Sequence, residues 1–317
     1  MDLNGLTIDA QRLWAGEAPL TEPIAFVDLD RSGAWPEAVR LPACPVIGLG
    51  DPQHPLADRL DAVVEPPIGA EMLARRVAAR PEAAAVTVQL LRSLPSLGIE
   101  RALVAESFAY GLLQGSGAHR EWIRERVPQS GGASRRVEVE RSGERLTITL
   151  ADPASGNAVD RTMRDTLYEA FALAALDADI RAVSLRAVGR TFSLGAELAE
   201  FGTMTDPATA HAIRMQTLPA WMIARCADRL DVLVQGACVG AGLEMAAWAR
   251  HFAAAPGAWF QLPELAMGVL PGAGGCVSLT RRIGRQRTAL LILSGKRINA
   301  RTALGWGLVD EIVDQPA

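Results

Sequence analysis

Apolar and polar residues alternate with a regular period through the second half of the chain. In residues 137–150, apolar side chains occupy every second position on both sides of a Ser-Gly pair, which predicts a β-hairpin. From Asp160 onward they recur every fourth residue, at Met163, Leu167 and Phe171, which predicts a helix with Asp160 as its N-cap. A further helix is expected over 243–250, after Gly242. Short apolar runs that predict buried strands lie at 181–187, 229–236 and 251–255. Alternating strands and helices are typical of a layered α/β domain.

The first half has a different pattern. Short apolar runs separated by Pro and Asp predict strands at 23–29, 45–49 and 61–65. From 69 to about 126 the periodicity predicts two or three helices with a break at 95–98, and no cluster of His, Cys or acidic residues suggests chemistry there. Residues 128–134, Pro-Gln-Ser-Gly-Gly-Ala-Ser, are typical of a flexible linker. We therefore divide the chain into a segment 1–127 with a helical part 69–127, the linker 128–134, and a core 135–317.

Composition and charge narrow the classes of function. The chain has 317 residues, of which 49% are hydrophobic and 21% charged, as in ordinary soluble globular proteins. Apolar runs stay below the roughly 18 residues of a membrane span, the N-terminus lacks a signal-peptide pattern, and a net charge of −4 gives no case for nucleic-acid binding. The four cysteines have no metal-ligand spacing and are interpreted as free thiols. We therefore expect a cytoplasmic protein without membrane, nucleic-acid or metal partners.

Three stretches of the second half combine small residues with a carboxylate. They are Thr-Phe-Ser-Leu-Gly-Ala-Glu-Leu at 191–198, Gln-Gly-Ala-Cys-Val-Gly-Ala-Gly-Leu-Glu at 235–244, and Phe-Gln-Leu-Pro-Glu at 260–264 with Pro-Gly-Ala-Gly-Gly at 271–275. A strand that ends in Gly-Ala-Gly before a helix leaves backbone N–H groups unpaired, and such groups can hold a developing oxyanion. Each stretch alone is more often a packing device than a functional site.

In order and combination, these motifs resemble the crotonase (enoyl-CoA hydratase/isomerase) superfamily, and enoyl-CoA hydratase most of all. The resemblance covers residues 136–315 almost continuously, including Leu-Ser-Gly-Lys-Arg-Ile-Asn-Ala at 293–300 and Gly-Trp-Gly-Leu-Val-Asp at 305–310. Asp-Pro-Ala-Ser-Gly-Asn-Ala at 152–158 resembles the family's first turn, which passes the nucleotide end of CoA. The resemblance implies the α/β ClpP/crotonase-like fold, a spiral of ββα units, and a homotrimer or a hexamer made of two trimers.

The resemblance also implies roles for individual residues. The peptide N–H groups of Ala196 and Ala241 would form an oxyanion hole for the thioester carbonyl. Glu244 and Glu264 fall on the two positions that are both glutamate in enoyl-CoA hydratases, so both would be catalytic. Substrate-binding positions are implied at Leu194, Gly195, Gly240, Gly272 and Asn157. The substrate would be an acyl-CoA thioester, with coenzyme A as part of the substrate and with no metal or redox cofactor.

Chemistry at the two glutamates agrees with hydration of a trans-2-enoyl-CoA to a 3-hydroxyacyl-CoA. Adding water needs one group to activate the water at C3 and another to deliver a proton to C2. Alternatives on the same oxyanion hole are double-bond isomerisation, retro-aldol cleavage and thioester hydrolysis. A catalytically weak acyl-CoA-binding scaffold subunit is a further alternative, suggested by the unusual first half and by Arg250, where the family commonly has Asp. His211 and His251 lack a Ser or Cys partner at motif spacing, which disfavours a Ser-His-Asp hydrolase.

The first half contains a weaker likeness to the same family. Leu-Asp-Ala-Val-Val-Glu-Pro-Pro at 60–67 resembles a second copy of the Gly-Leu-Val-Asp segment, and the stretches 73–83 and 106–113 resemble the helices with which family members normally continue. We therefore expect a degenerate crotonase-like piece whose helices dock where those helices lie, on the same or a neighbouring core. Val88 falls where the family often has a Lys near the CoA phosphates, so Arg92, one turn on, is expected to supply that charge.

Overall fold

Four short parallel strands form a sheet in the first half of the chain. The computed structural model describes residues 3, 5–8, 13, 22–31, 40–126 and 136–313, so the predicted linker at 128–134 lies outside the described residues. The strands, hydrogen-bonded in this order, are β1 (Thr7–Ile8), β2 (Ala25–Asp28), β3 (Val46–Leu49) and β4 (Ala62–Val63). The last three confirm the predicted strands, and β1 was not predicted.

Helices follow the small sheet directly. They are α1 (Ala70–Ala79), α2 (Pro81–Ser93), α3 (Ile99–Gln114) and α4 (Gly117–Glu125). The predicted break is confirmed, since Leu94–Ser96 forms a single 3-10 turn. This stretch contains four helices instead of the expected two or three. Pro81 starts a new helix, and Ser116 caps another by accepting a hydrogen bond from the His119 N–H.

A six-stranded sheet forms the centre of the second half. In chain order its strands are β5 (Val137–Ser142), β6 (Arg145–Leu150), β7 (Ala182–Ala187), β8 (Leu230–Val234), β10 (His251–Ala254) and β13 (Glu311–Ile312). The order across the sheet is β13-β10-β8-β7-β6-β5, and the predicted hairpin is confirmed as the antiparallel pair β5–β6. A second sheet, in the order β12-β11-β9, comprises β9 (Ala237–Val239), β11 (Trp259–Gln261) and β12 (Ile298–Asn299).

Helices cover both sheets. They are α5 (Arg161–Leu176), α6 (Pro207–Thr217), α7 (Ala220–Cys226), α8 (Ala241–Ala246), α9 (Gly275–Ser294, interrupted at Gly284) and α10 (Ala300–Gly305). The predicted cap of α5 is confirmed, since Asp160 Oδ1 accepts from the Met163 N–H at 2.8 Å. Helix α8 is shorter than predicted, because the Arg250 N–H already pairs with the Leu230 carbonyl as the chain enters β10. Within the described ranges, no helix is both long and apolar enough to cross a membrane.

The helices of the first half pack on the core of the same chain. Helices α1, α2 and α3 contact α9, and α3 also contacts α6. Their buried side chains, such as Leu73 and Leu103, belong to one hydrophobic cluster with Leu290 and Leu291 of α9. Because this cluster is continuous, the helices of the first half share a hydrophobic core with the second half, while a smaller separate cluster that includes Val27, Val46 and Leu60 lies within the first half.

Arg92 has a structural role. Its guanidinium donates to both carboxylate oxygens of Asp61, at 2.7 and 2.6 Å, and to the backbone carbonyls of Pro42 and Cys44. Asp61 is only 2% exposed and also accepts from the Val46 N–H. The expectation that Arg92 serves the CoA phosphates is therefore wrong, because the bidentate pair with a buried carboxylate occupies its donors.

Candidate active site

A cavity of about 210 Å³ lies where α3, α5, α6, α8 and the turn before α9 meet. It brings together five of the predicted site residues: Ala196, Ala241, Glu244, Glu264 and Gly272. A second cavity of about 210 Å³ adjoins it and shares Tyr110, Ala196, Phe201 and Arg214 as wall residues. Together they provide room for an extended ligand beside the two glutamates.

The two predicted oxyanion-hole residues both have a free backbone donor. In the described part of the chain, neither the Ala196 N–H nor the Ala241 N–H donates a hydrogen bond. Ala241 is the first residue of α8, where helix geometry leaves an N–H without an intrahelical acceptor. Ala196 is held by its neighbours, since Val159 bonds to Gly195 and Glu197 on either side of it, at 2.8 and 2.9 Å. Two N–H groups without an acceptor therefore belong to residues that line one cavity, which is compatible with an oxyanion hole.

Small residues let the backbone come close to the glutamates. Gly240, directly before α8, has a φ of +47°, and a Cβ atom there would lie 2.7 Å from Glu264 Oε1. Gly195 has a φ of +91°, and its Cβ would lie 3.0 Å from the Val239 carbonyl oxygen. A side chain at Gly195 would press on the backbone before Gly240, and one at Gly240 would displace the Glu264 carboxyl group.

Glu244 and Glu264 are both buried, but their hydrogen bonding differs. Glu244, 2% exposed, accepts through Oε2 from the N–H groups of Ala273 and Gly275, at 2.6 and 2.9 Å. Burial raises the pKa of Glu244 to about 7, while these two N–H groups act in the opposite direction. Glu264, 9% exposed, has an Oε2 without a hydrogen-bond partner among the described residues. Burial, and after it the charge of Glu244, raises the pKa of Glu264 well above the usual value. The surroundings thus favour an ionised Glu244 beside a protonated Glu264.

A third buried carboxylate comes from the first half of the chain. Glu106 of α3 is 1% exposed and accepts from the N–H groups of Gly274, at 2.7 Å, and Val277, at 3.2 Å. Burial, and after it the charge of Glu244, raises the pKa of Glu106 well above the usual value. The first turn of α9 is therefore held between two carboxylates, with Glu244 on Ala273 and Gly275 and Glu106 on Gly274 and Val277.

Tyr110, one turn after Glu106, lines both cavities. Its ring lies against Gly272, where a Cβ atom would be 2.3 Å from Tyr110 Cδ2, and beneath the Arg214 guanidinium at 4.8 Å. Burial raises the pKa of Tyr110 to about 12, so it stays a neutral phenol. Neither Glu106 nor Tyr110 was predicted as a site residue; the periodicity predicted helices in this stretch, and the likeness of 106–113 to a later family helix linked it to the core.

Comparison with known proteins identifies the family. The sequence model described as enoyl-CoA hydratase/isomerase matches residues 140–317. The chain belongs to this family.

Individual relatives match the same part of the chain. A mevalonyl-coenzyme A hydratase of Beauveria bassiana is 32% identical over 54% of this chain and 64% of its own length. A 2,3-dehydroadipyl-CoA hydratase of Escherichia coli is 33% identical over 55% of this chain and 68% of its own length. The enoyl-CoA hydratase crystal structure from Thermoplasma volcanium shares 36% identity at a TM-score of 0.50, over 56% of this chain and 72% of that one. The predicted crotonase fold is confirmed, and the chain spans about two thirds of the length of these curated relatives.

The remaining predicted family positions lie outside the cavity. Leu194 is 50% exposed and lies against Gly156, at the surface where the resemblance places the nucleotide end of CoA. Gly195 and Gly240 lie in the loops directly before the cavity residues Ala196 and Ala241. The prediction that the Asn157 side chain binds substrate is wrong. Asn157 is fully buried, and its side chain bonds to the backbone of Asp152, Val188 and Thr191. Its side chain braces three loop segments, so it is not available to a substrate.

The structure also gives His211 a partner that the sequence did not reveal. Ser107 Oγ of α3 lies 2.9 Å from His211 Nδ1, and the Arg214 Nε donates to the same oxygen at 2.8 Å. Ser107 is 2% exposed, and across the described ranges no carboxylate bonds to His211. The pair ties α3 to α6 and lacks the acid of a hydrolase triad.

Proposed function

We propose that this protein hydrates a trans-2-enoyl-CoA to a 3-hydroxyacyl-CoA. One observation carries the proposal: two buried glutamates with opposite hydrogen-bonding environments line the same cavity as two unpaired backbone N–H groups. The family membership of residues 140–317 and the hydratase names of the relatives support it.

Each group has a step in the reaction. The Glu244 carboxylate removes a proton from the water that attacks C3 of the enoyl group. The thioester oxygen gains negative charge as the enolate forms, and the N–H groups of Ala196 and Ala241 stabilise it. Protonated Glu264 then gives its proton to C2, and the transfer of a proton from Glu244 to Glu264 restores the site. Hydration neither oxidises nor reduces the substrate, so the proposal includes no metal or redox cofactor.

The proposal extends to assembly and location. Phe108 and Leu112 lie one turn apart on α3 and are 61% and 67% exposed, which supports an apolar contact between copies in a homotrimer or hexamer. All four cysteines are free, which supports a reducing compartment such as the cytoplasm.

Loss of the conjugated thioester absorbance of crotonyl-CoA and of a longer enoyl-CoA tests the function. Glu244→Gln and Glu264→Gln each keep the side-chain shape but remove proton transfer, so each is expected to lower kcat by roughly 10²–10⁴. Glu100→Gln, an exposed position on α3, serves as the control with unchanged turnover.

Three results would contradict the proposal. Near-full activity of both glutamine variants would show that the glutamates are not the acid and base. Release of free CoA, or an isomerised product, would assign the site to another reaction of the family. Binding of enoyl-CoA without turnover would favour the scaffold alternative.

A further inference from the structure

Arg214 of α6 lines both of the adjoining cavities. The first cavity also contains Ala196, Ala241 and the two glutamates, and the second shares Ala196 and Phe201 with it. An acyl group whose thioester lies at Ala196 and Ala241 therefore shares its cavity with Arg214.

Arg214 forms no ion pair within the part of the chain that the structure describes. Its Nε and Nη2 donate to the hydroxyl and carbonyl oxygens of Ser107, at 2.8 and 3.2 Å, and its Nη1 lies 3.4 Å from Gln114 Oε1. Among the described residues, no carboxylate lies within 4.0 Å of the guanidinium. Burial lowers the pKa of Arg214, while Tyr110 and the buried Glu106 act in the opposite direction. Other arginines differ in their partners. Arg92, Arg282 and Arg287 each pair with a carboxylate. Arg229 and Arg285 donate to backbone carbonyls outside this cavity.

The guanidinium has donors left for a ligand. It carries five N–H bonds in a planar fork, and the contacts above use three of them. Tyr110 packs on one face of the fork, with the ring centre 4.8 Å from Cζ, so the plane is fixed. A fixed guanidinium with unused N–H groups suits a carboxylate, which accepts two of them side by side.

Among the other charged side chains in the walls, Arg161 is exposed to solvent, whereas the following ones are already engaged. Arg164 pairs with Asp165 at 2.6 Å, Asp160 caps α5, and Glu200 accepts from the Arg161 backbone N–H at 3.1 Å. Glu197 accepts from the Ala199 N–H at 3.0 Å. Glu244 and Glu264 lie at the reacting end.

We infer that Arg214 binds a carboxylate at the far end of the acyl chain, so that the substrate is an enoyl-CoA whose acyl group ends in an acid. The inference rests on the proposed function, because that function places the thioester at Ala196 and Ala241. It assigns Arg214 to substrate selection and leaves the proton transfers to the glutamates.

Equilibrium binding of saturated thioesters tests this without requiring turnover. Succinyl-, glutaryl- and adipyl-CoA are each compared with the methyl-ended thioester of the same chain length, namely butyryl-, pentanoyl- and hexanoyl-CoA. At the length that reaches Arg214, the acid is expected to bind about tenfold to a hundredfold more tightly, as a charge-assisted hydrogen bond provides. Arg214→Gln should reduce this ratio to about one, and Arg214→Lys should keep part of it. The ratio is the readout because a general loss of structure weakens both thioesters alike.

Arg225→Gln is the matched control. Arg225 lies on the neighbouring α7, is half exposed and pairs with Glu100 at 3.4 Å outside the cavity, so its variant should keep the ratio. Equal binding of acid and methyl ends at all three lengths, or a preference that survives in Arg214→Gln, would overturn the inference. A preference for acids without hydration of the matching enoyl-CoAs would instead retain the subsite and reject the proposed reaction.

Discussion

Two carboxyl groups of the same type acquire different protonation at this site through their neighbours. Glu244 accepts from two backbone N–H groups, which stabilise its anion, whereas Glu264 Oε2 has no partner in the described structure and is favoured as the acid. The two environments therefore favour one ionised and one protonated carboxyl group near neutral pH.

The pH dependence of kcat/KM should follow from this pair. A general base must be ionised, so activity is expected to fall below about pH 7, where Glu244 becomes protonated. A general acid must be protonated, so activity should fall again at alkaline pH, as Glu264 loses its proton above its raised pKa. Initial rates of crotonyl-CoA hydration across roughly pH 5–10 measure both limbs, whose apparent values belong to the coupled pair. A rate that stays constant from about pH 5 to pH 7 would contradict the role of Glu244.

Sequence motifs predicted the site residues of the second half but not those that α3 contributes from the first half. Ala196, Ala241, Glu244 and Glu264 lie in motifs whose spacing fixes their positions, and they line one cavity. Glu106 precedes those motifs by many residues and carries no motif of its own. Asn157 matched a motif, but a motif does not tell whether a side chain faces a ligand or, as here, the protein's own backbone.

Helices that lie far apart in the sequence also stabilise one another. Helix α3 reaches the first turn of α9 through Glu106, which satisfies two N–H groups that α9 cannot satisfy itself. The stability of α9, and with it the position of the N–H groups that orient Glu244, thus depends on a helix from the first half.

Glu106→Leu tests this dependence. The variant leaves the N–H groups of Gly274 and Val277 buried and unpaired, which should lower the free energy of unfolding by about 2 kcal/mol or more. Urea unfolding at fixed protein concentration measures it. Glu100→Gln on the exposed face of α3 should change the same quantity by less than about 0.5 kcal/mol. Equal effects of the two variants would show that Glu106 does not hold α9.

Element types followed the hydrophobic pattern, while several boundaries did not. Strands β5 to β8 and the cap of α5 lie where alternation and Asp160 predicted them. Helix α8 ends at Ala246 in a turn that leads to the sheet, which the chain joins at the Arg250 N–H, a tertiary contact that the sequence period does not show. Arg92 was likewise assigned to the CoA phosphates from its place on a helix. The sequence does not show that Asp61 lies within hydrogen-bonding distance of its guanidinium.

The cavity that contains the two glutamates is lined by residues from both halves of the chain. Residues 135–317 expressed alone would expose the surfaces of α6 and α9 that the first helices cover, and would lack Glu106 and Tyr110. We expect this fragment to be insoluble or inactive, and residues 1–128 added as a separate chain to restore some activity. The soluble fraction and the rate of enoyl-CoA turnover measure the outcome. A soluble, normally assembled fragment with full activity would show that the first half is an independent appendage.

The helices that pack on α9 precede the core along the chain, so the ribosome releases them first. Roughly 200 residues separate α3 from the last strand of the core, which at about 5–20 residues per second amounts to roughly 10 to 40 s of synthesis. During that time the apolar faces of α1, α2 and α3 have no core to cover. The small sheet of the first half is already complete, and the bidentate Arg92–Asp61 pair attaches α2 to it. That ion pair can therefore keep the nascent helices beside the sheet until the strands and helices that they will cover have been translated.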